Sequence, residues 1–126
     1  MPRLPINLTS DPSSQPYSDG VWNGDTLLLS GRVAIGSDGT LIDGMVAEQT
    51  TQAIANIARV LDQADLTLAD VVKTTVFLTS MDDYAAMNAA YLEAFDYPLP
   101  ARSCVAVAGL PFGALVEIEV IAARTS

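Results

Sequence analysis

Asp70-Val-Val-Lys-Thr-Thr-Val-Phe-Leu78 is rich in β-branched residues and reads as a strand. What flanks it decides the fold class. Before it, Thr50, Ile54, Ile57 and Leu61 recur at helical spacing, which predicts a helix over about 45–63. Asp43 is the predicted N-cap, and Glu48 near the start suits the helix dipole. After the strand, Ser80-Met-Asp-Asp83 resembles a capping box with Asp in place of Glu. It opens a second helical pattern over about 81–96, with Tyr84, Met87, Tyr91 and Phe95 on one face. Pro98 and Pro100 end it.

Further outward, Thr26-Leu-Leu-Leu-Ser30 is a buried-strand candidate closed by Gly31, and Ser37-Asp-Gly39 marks a turn. Residues 1–20, with Pro2, Pro5, Pro12 and Pro16, read as an extended, turn-rich lead-in. Two more strands are predicted near the end, over about 101–109 and 115–124. In the last, Val116, Ile118, Val120 and Ala122 alternate with Glu117, Glu119 and Ile121. The order β-β-α-β-α-β-β is an α+β layout, one sheet with two helices on one face. The 126 residues suit a single domain, 1–126.

Composition narrows the function. Fifteen acidic and six basic side chains leave a formal charge of −9. The basic residues are scattered and form no stripe, so neither a nucleic-acid partner nor an anionic membrane surface is expected. The chain has no histidine, which removes histidine triads and imidazole metal sites, and no metal is expected. No apolar run approaches the roughly 18 residues of a membrane span, and the first residues lack a signal-peptide core. A cytoplasmic protein is the expectation.

Polar residues set in apolar patterns are the places to look for chemistry. Arg102 sits at the mouth of Pro100-Ala-Arg-Ser-Cys-Val-Ala-Val-Ala108, a strand apolar on both faces beyond its first residues and so expected to be buried. An arginine there needs an anion, and its planar fork suits a carboxylate. An ion pair with one of the chain's own acids is the plainer reading. Glu117 and Glu119 form either a solvated acidic face or a carboxylate that orients water and shuttles a proton. Asn88, beside the Met87–Tyr91 stripe, is either a satisfied core amide or a ligand-facing one. Cys104 reads as a small buried hydrophobe, since no histidine is present to activate it. Gly31 is either a turn glycine or a point where a ligand nears the backbone. Tyr17 reads as a surface aromatic.

Pro100-Ala-Arg-Ser-Cys-Val-Ala-Val-Ala-Gly-Leu-Pro111, followed by Val116-Glu-Ile-Glu-Val-Ile-Ala122, closely resembles the signature of the YjgF/RidA family of reactive-intermediate deaminases. Gln15-Pro-Tyr-Ser18, Leu29-Ser-Gly31, Asp70–Leu78 and the helix with Asn88 match in order and spacing. The resemblance covers nearly the whole chain. It implies the chorismate-mutase-like α+β fold, assembled as a homotrimer with clefts between subunits. It implies hydrolysis of 2-enamino and 2-imino acids, such as 2-aminoacrylate, to 2-oxo acids and ammonia, without a cofactor. By the same resemblance Arg102 grips the substrate carboxylate and Glu117 orients the attacking water. Gly31 and Cys104 line the pocket through their backbone, with Ser30, Tyr17 and Asn88 around it. The family's common glycine before Pro-Tyr is Gln15 here, its usual proline after Ser-Gly is absent at Arg32-Val-Ala-Ile35, and the loop Gly109–Ala114 is apolar where better-known members carry charges. Three other readings stand beside this one. They are a non-catalytic binder or sensor of small carboxylates, a pathway-specific deaminase of an aminoacrylate or aminomuconate, and a ribonuclease, which the charge and the missing histidine disfavour.

Overall fold

The computed structural model describes residues 3–124. Met1 and Pro2 of the lead-in, and the last two residues of the expected domain, lie outside the described residues. Six strands form one mixed sheet: β1 (Leu4–Ile6), β2 (Gly20–Asn23), β3 (Thr26–Leu29), β4 (Val71–Leu78), β5 (Ala101–Ala106) and β6 (Val116–Ala123). Their order across the sheet is β1-β2-β3-β6-β4-β5. Helices α1 (Val46–Gln63) and α2 (Tyr84–Ala94) pack on one face, as the α+β reading requires.

The elements follow from their residues. Along α1, Thr50, Ile54, Ile57 and Leu61 are all buried. Enclosing a side chain such as Ile57 contributes about 1.5–3 kcal/mol. The α1 cap is not Asp43. Met45 occupies that position, and its amide donates to Glu48 Oε1 at 2.7 Å. Gly44, at φ +142, separates Asp43 from the helix and carries the chain into it. Ser80 caps a short 3-10 turn, 81–83, through the Asp82 amide, and α2 starts only after that turn.

The sheet differs from the expectation: three strands rather than two precede α1, neither β1 nor β2 is among the strands expected, and β5 is not buried. The lead-in contains strand β1, paired antiparallel with β2. Three residues with a proline among them carry little strand signal of their own. The Arg102 strand is not enclosed. β5 pairs only with β4, in parallel, and is an edge of the sheet. Val105 is 47% exposed there. Likewise only Leu27 and Leu29 of the β3 run are buried, while Leu28 is 43% exposed. Leu28, Phe77, Val105 and Ile121 share the face turned away from the helices. They form an apolar patch on that face, beside Lys73, Thr75, Glu117 and Glu119, and no element of the single chain packs over it.

Candidate active site

Two groups of residues stand out, one on each face of the sheet. Register parity separates them. Thr74 on β4 pairs with Arg102 on β5, and Val76 with Cys104. Phe77, on the opposite face, pairs with Glu117 on β6. Successive side chains alternate across a strand, so Arg102 and Cys104 point to the helix side and Glu117 to the open side.

On the helix side, Arg102 is wrapped by aromatic rings. Its guanidinium carbon lies 4.9 Å from the Tyr91 ring centroid and 5.6 Å from that of Tyr84. Nη2 donates to the Tyr84 hydroxyl at 3.1 Å, and Nη1 reaches Met87 Sδ at 3.9 Å. Cation–π contact of this kind holds a cation in place without neutralising it. Tyr91 is itself braced by a 2.8 Å hydrogen bond between its hydroxyl and Thr74 Oγ1, and burial pushes its phenol up despite that bond. The plainer expectation for Arg102 is not met: among the described residues no carboxylate stands within ion-pair distance of it, and the pairing seen is Arg32 with Asp19. Arg102, Tyr91, Asn88, Leu92, Leu99 and Pro100 line a cavity of about 300 Å3. Asn88 Oδ1 is buried without a hydrogen-bond partner, so its amide is not the satisfied core group. Cys104 is half-buried against the core, and burial pushes its thiol up even though Arg102 acts the other way. That is packing chemistry rather than nucleophile chemistry.

On the open side, Glu117 leans over the backbone at Gly31. A Cβ at position 31 would stand 2.7 Å from Glu117 Oε2. Gly31 is therefore neither a simple turn residue nor a place reserved for ligand alone; it admits the carboxylate. The strand geometry continues past it, since Arg32 and Ile118 exchange backbone hydrogen bonds at 2.8 and 3.0 Å. Burial, and secondarily the neighbouring Glu119, push the Glu117 carboxyl above the usual glutamate range. The face is thus not a merely solvated acidic one. Tyr17, Ser30, Gly31, Val33, Pro111, Phe112, Glu117 and Glu119 line a cavity of about 560 Å3. A buried knot holds its rim. Burial works to raise the Asp19 carboxyl, but the Leu8 amide at 2.7 Å, Arg32 and Gln15 outweigh it and hold it below the usual range. Gln15 also donates to the Tyr17 carbonyl at 3.0 Å, and the Ser30 hydroxyl donates to the Ser18 carbonyl at 2.6 Å.

The seven-residue candidate set thus divides cleanly. Arg102, Asn88 and Cys104 belong to the helix side; Tyr17, Ser30, Gly31 and Glu117 belong to the open side. The chain folded by itself does not bring Arg102 and Glu117 together. The contact of Tyr84 with Arg102 and the pairing of Asp19 with Arg32 escaped the sequence reading, which marked Arg32 and the Phe112 loop only as departures from the family pattern. Tyr84 looked like a core position of its helix, and only the early end of that helical face leaves its hydroxyl free for Arg102.

The family model described as endoribonuclease L-PSP matches residues 8–124. The chain belongs to this family, the YjgF/RidA proteins. Within the family, the chain is 40% identical to a mouse protein named 2-iminobutanoate/2-iminopropanoate deaminase, over 97% of this chain and 92% of the mouse protein. It is also 40% identical to the Schizosaccharomyces pombe protein mmf2, named mitochondrial, over 98% of this chain and all of that one. Among solved structures, Escherichia coli TdcF with bound serine superimposes with a TM-score of 0.82 at 35% identity, covering 88% of this chain and 90% of that one. These relatives support a deaminase at the level of the family. No helix among the described residues is long and apolar enough to cross a membrane. A relative named mitochondrial means that likeness does not single out the cytoplasm.

Proposed function

We propose that the protein hydrolyses 2-imino acids, and the 2-enamino acids that tautomerise to them, to 2-oxo acids and ammonia in sites built between subunits of a homotrimer. The observation that carries this is the unpaired arginine. Arg102 has a guanidinium held by tyrosines, no carboxylate among the described residues beside it, and a cavity of about 300 Å3 in front of it that Asn88 also lines. A small ligand with a carboxylate for the fork fits that arrangement. Serine, the molecule named in the TdcF structure, carries such a carboxylate, and this supports the reading.

The chemistry asks little of the protein. The iminium carbon is electrophilic. Water adds to it, its proton passing to a base, and the C–N bond of the resulting carbinolamine breaks. One water is consumed; ammonia takes the nitrogen and the carbonyl keeps the oxygen. Arg102 binds and orients the carboxylate. Glu117 in its ionised form accepts the proton of the water and returns it to the departing nitrogen. Placement and one acid–base group suffice.

The assembly follows from the same geometry. Arg102 of one chain can meet Glu117 only if it comes from another chain, because the two lie on opposite faces of one sheet. The apolar patch of the open face, with Leu28, Phe77, Val105 and Ile121, supplies a surface for that contact. Closed threefold assembly would bury it without leaving a free end.

The test is release of ammonia and 2-oxo acid when the protein is added to a dehydratase forming 2-aminoacrylate. Acceleration over the uncatalysed rate is expected, and Arg102→Ala and Glu117→Gln each greatly reduce it. Co-assembled Arg102→Ala and Glu117→Gln chains are expected to regain activity, since some interfaces then combine both native residues. Absence of acceleration by the native protein overturns the deaminase reading for this substrate, and absence with every 2-imino acid tried overturns it altogether. Inactive mixed assemblies overturn the shared site. If Glu117→Gln leaves turnover intact, Glu117 is not the proton carrier.

A further inference from the structure

We infer that the cavity over Glu117 includes a side-chain subsite walled by Phe112, which selects 2-imino acids with a large hydrocarbon side chain. The inference rests on the imine-hydrolysis reading and names the substrate class within it.

Three observations meet at one residue. Phe112 lines the same cavity of about 560 Å3 as Glu117, next to Val33, Pro111 and Tyr17. Its ring is 73% exposed, so it contributes nothing to the core of the chain. Its backbone is left-handed, at φ 62 and ψ 15. Bulky residues avoid that region, and strained positions of this kind cluster at functional sites. Among the described residues Asp65 is the other non-glycine with positive φ, and aspartate is a type that tolerates it. A turn at 111–113 needs no aromatic ring. Gly113, also left-handed at φ 70, shows that glycine serves this turn without strain. The ring's position is explained by what it faces, which is the space above the proposed proton carrier.

The charges of the wall narrow the class further. Glu117 and Glu119 both line this cavity. A substrate with a second carboxylate on its side chain would meet like charge there. A hydrocarbon side chain would instead lie on Phe112 and Val33 and remove their surface from water.

The experiment uses imines formed in situ by D-amino-acid oxidase from D-leucine, D-phenylalanine and D-alanine. The native protein is expected to show higher kcat/KM for the leucine- and phenylalanine-derived imines than for the alanine-derived one. Phe112→Ala is expected to shrink that advantage about tenfold, the scale of a lost hydrophobic contact in a specificity pocket. Phe112→Leu is expected to keep most of it. Phe112→Gly, which suits the left-handed backbone, replaces the alanine variant if that one fails to fold, with the same expectation. Equal efficiency on all three imines, or an unchanged ratio in the ring-deleted variant, overturns the subsite and leaves the deaminase standing. No hydrolysis of any imine by the native protein overturns both.

Discussion

The two halves of the candidate site treat charge in opposite ways. On the covered face, Arg102 is seated against Tyr84 and Tyr91 with no counter-carboxylate among the described residues, so its attraction for an anion is left unspent. On the open face, Glu117 is partly desolvated and faces Glu119, so its carboxyl holds its proton more readily than an ordinary glutamate. One half is prepared to bind; the other is prepared to exchange a proton. Keeping them on opposite faces prevents the obvious internal ion pair, which would silence both. In the proposed reaction the separation would make activity depend on assembly.

The largest expected effect removes the proton carrier. Glu117→Gln should lower kcat by about 10²–10⁴-fold, while titration with an unreactive 2-oxo acid finds affinity kept. The same variant should unfold at a higher temperature at neutral pH. The sign follows from the raised carboxyl: the folded state prefers the protonated form, so ionised Glu117 disfavours folding above its folded pKa, and the amide removes that burden. A loss of affinity equal to the loss of rate would erase the contrast between the halves.

Removing the anion grip comes next. Arg102→Ala should reduce kcat/KM on the order of a hundredfold, chiefly through KM, because a charge-assisted contact is lost. Arg102→Lys should restore only part, since an ammonium lacks the fork and the flat face that rests on the tyrosines. Gly31→Ala should follow, at about tenfold in kcat. The new methyl would collide with Glu117 Oε2, 2.7 Å from the added Cβ, and displace the carboxylate; misplacement of about 1 Å can cost up to a hundredfold. The smallest effect is a sharpening one. Glu119→Gln removes the lesser of the two influences on Glu117, so the acid limb of kcat should move to lower pH without reaching that of an ordinary glutamate. A limb that stays in place would assign the proton transfer to another group.

The elements were legible because their signals are local. The apolar period of Thr50, Ile54, Ile57 and Leu61 and the β-branched run Val71–Leu78 each carry their own structure. The helix bounds were close, about 45–63 against Val46–Gln63, but its cap was misplaced by two residues, Asp43 for Met45, because the backbone at Gly44 outweighs the capping preference of aspartate. The β1 strand was not legible, because its pairing with β2 supplies what its three residues lack. The β5 run looked enclosed because apolar residues on both faces are the pattern of a buried strand, and its position at the sheet edge is set by pairing with β4 alone. Phe112 was visible only as an uncharged loop residue; its strain is a property of the folded turn.

Arg102 and Glu117 could both be picked out along the chain as polar residues in apolar strands, and the alternation in β6 placed Glu117 opposite Val116 and Ile118 within its own strand. Their relation to each other is different in kind. It depends on β6 lying between β3 and β4, and on Phe77 rather than Val76 standing across from Glu117. A shift of one residue in that register would put both groups on the same face. Periodicity within a strand is set by its own backbone, and so it is written locally. Register and strand order are set by which distant segments bury their apolar faces together, and only the tertiary structure decides them.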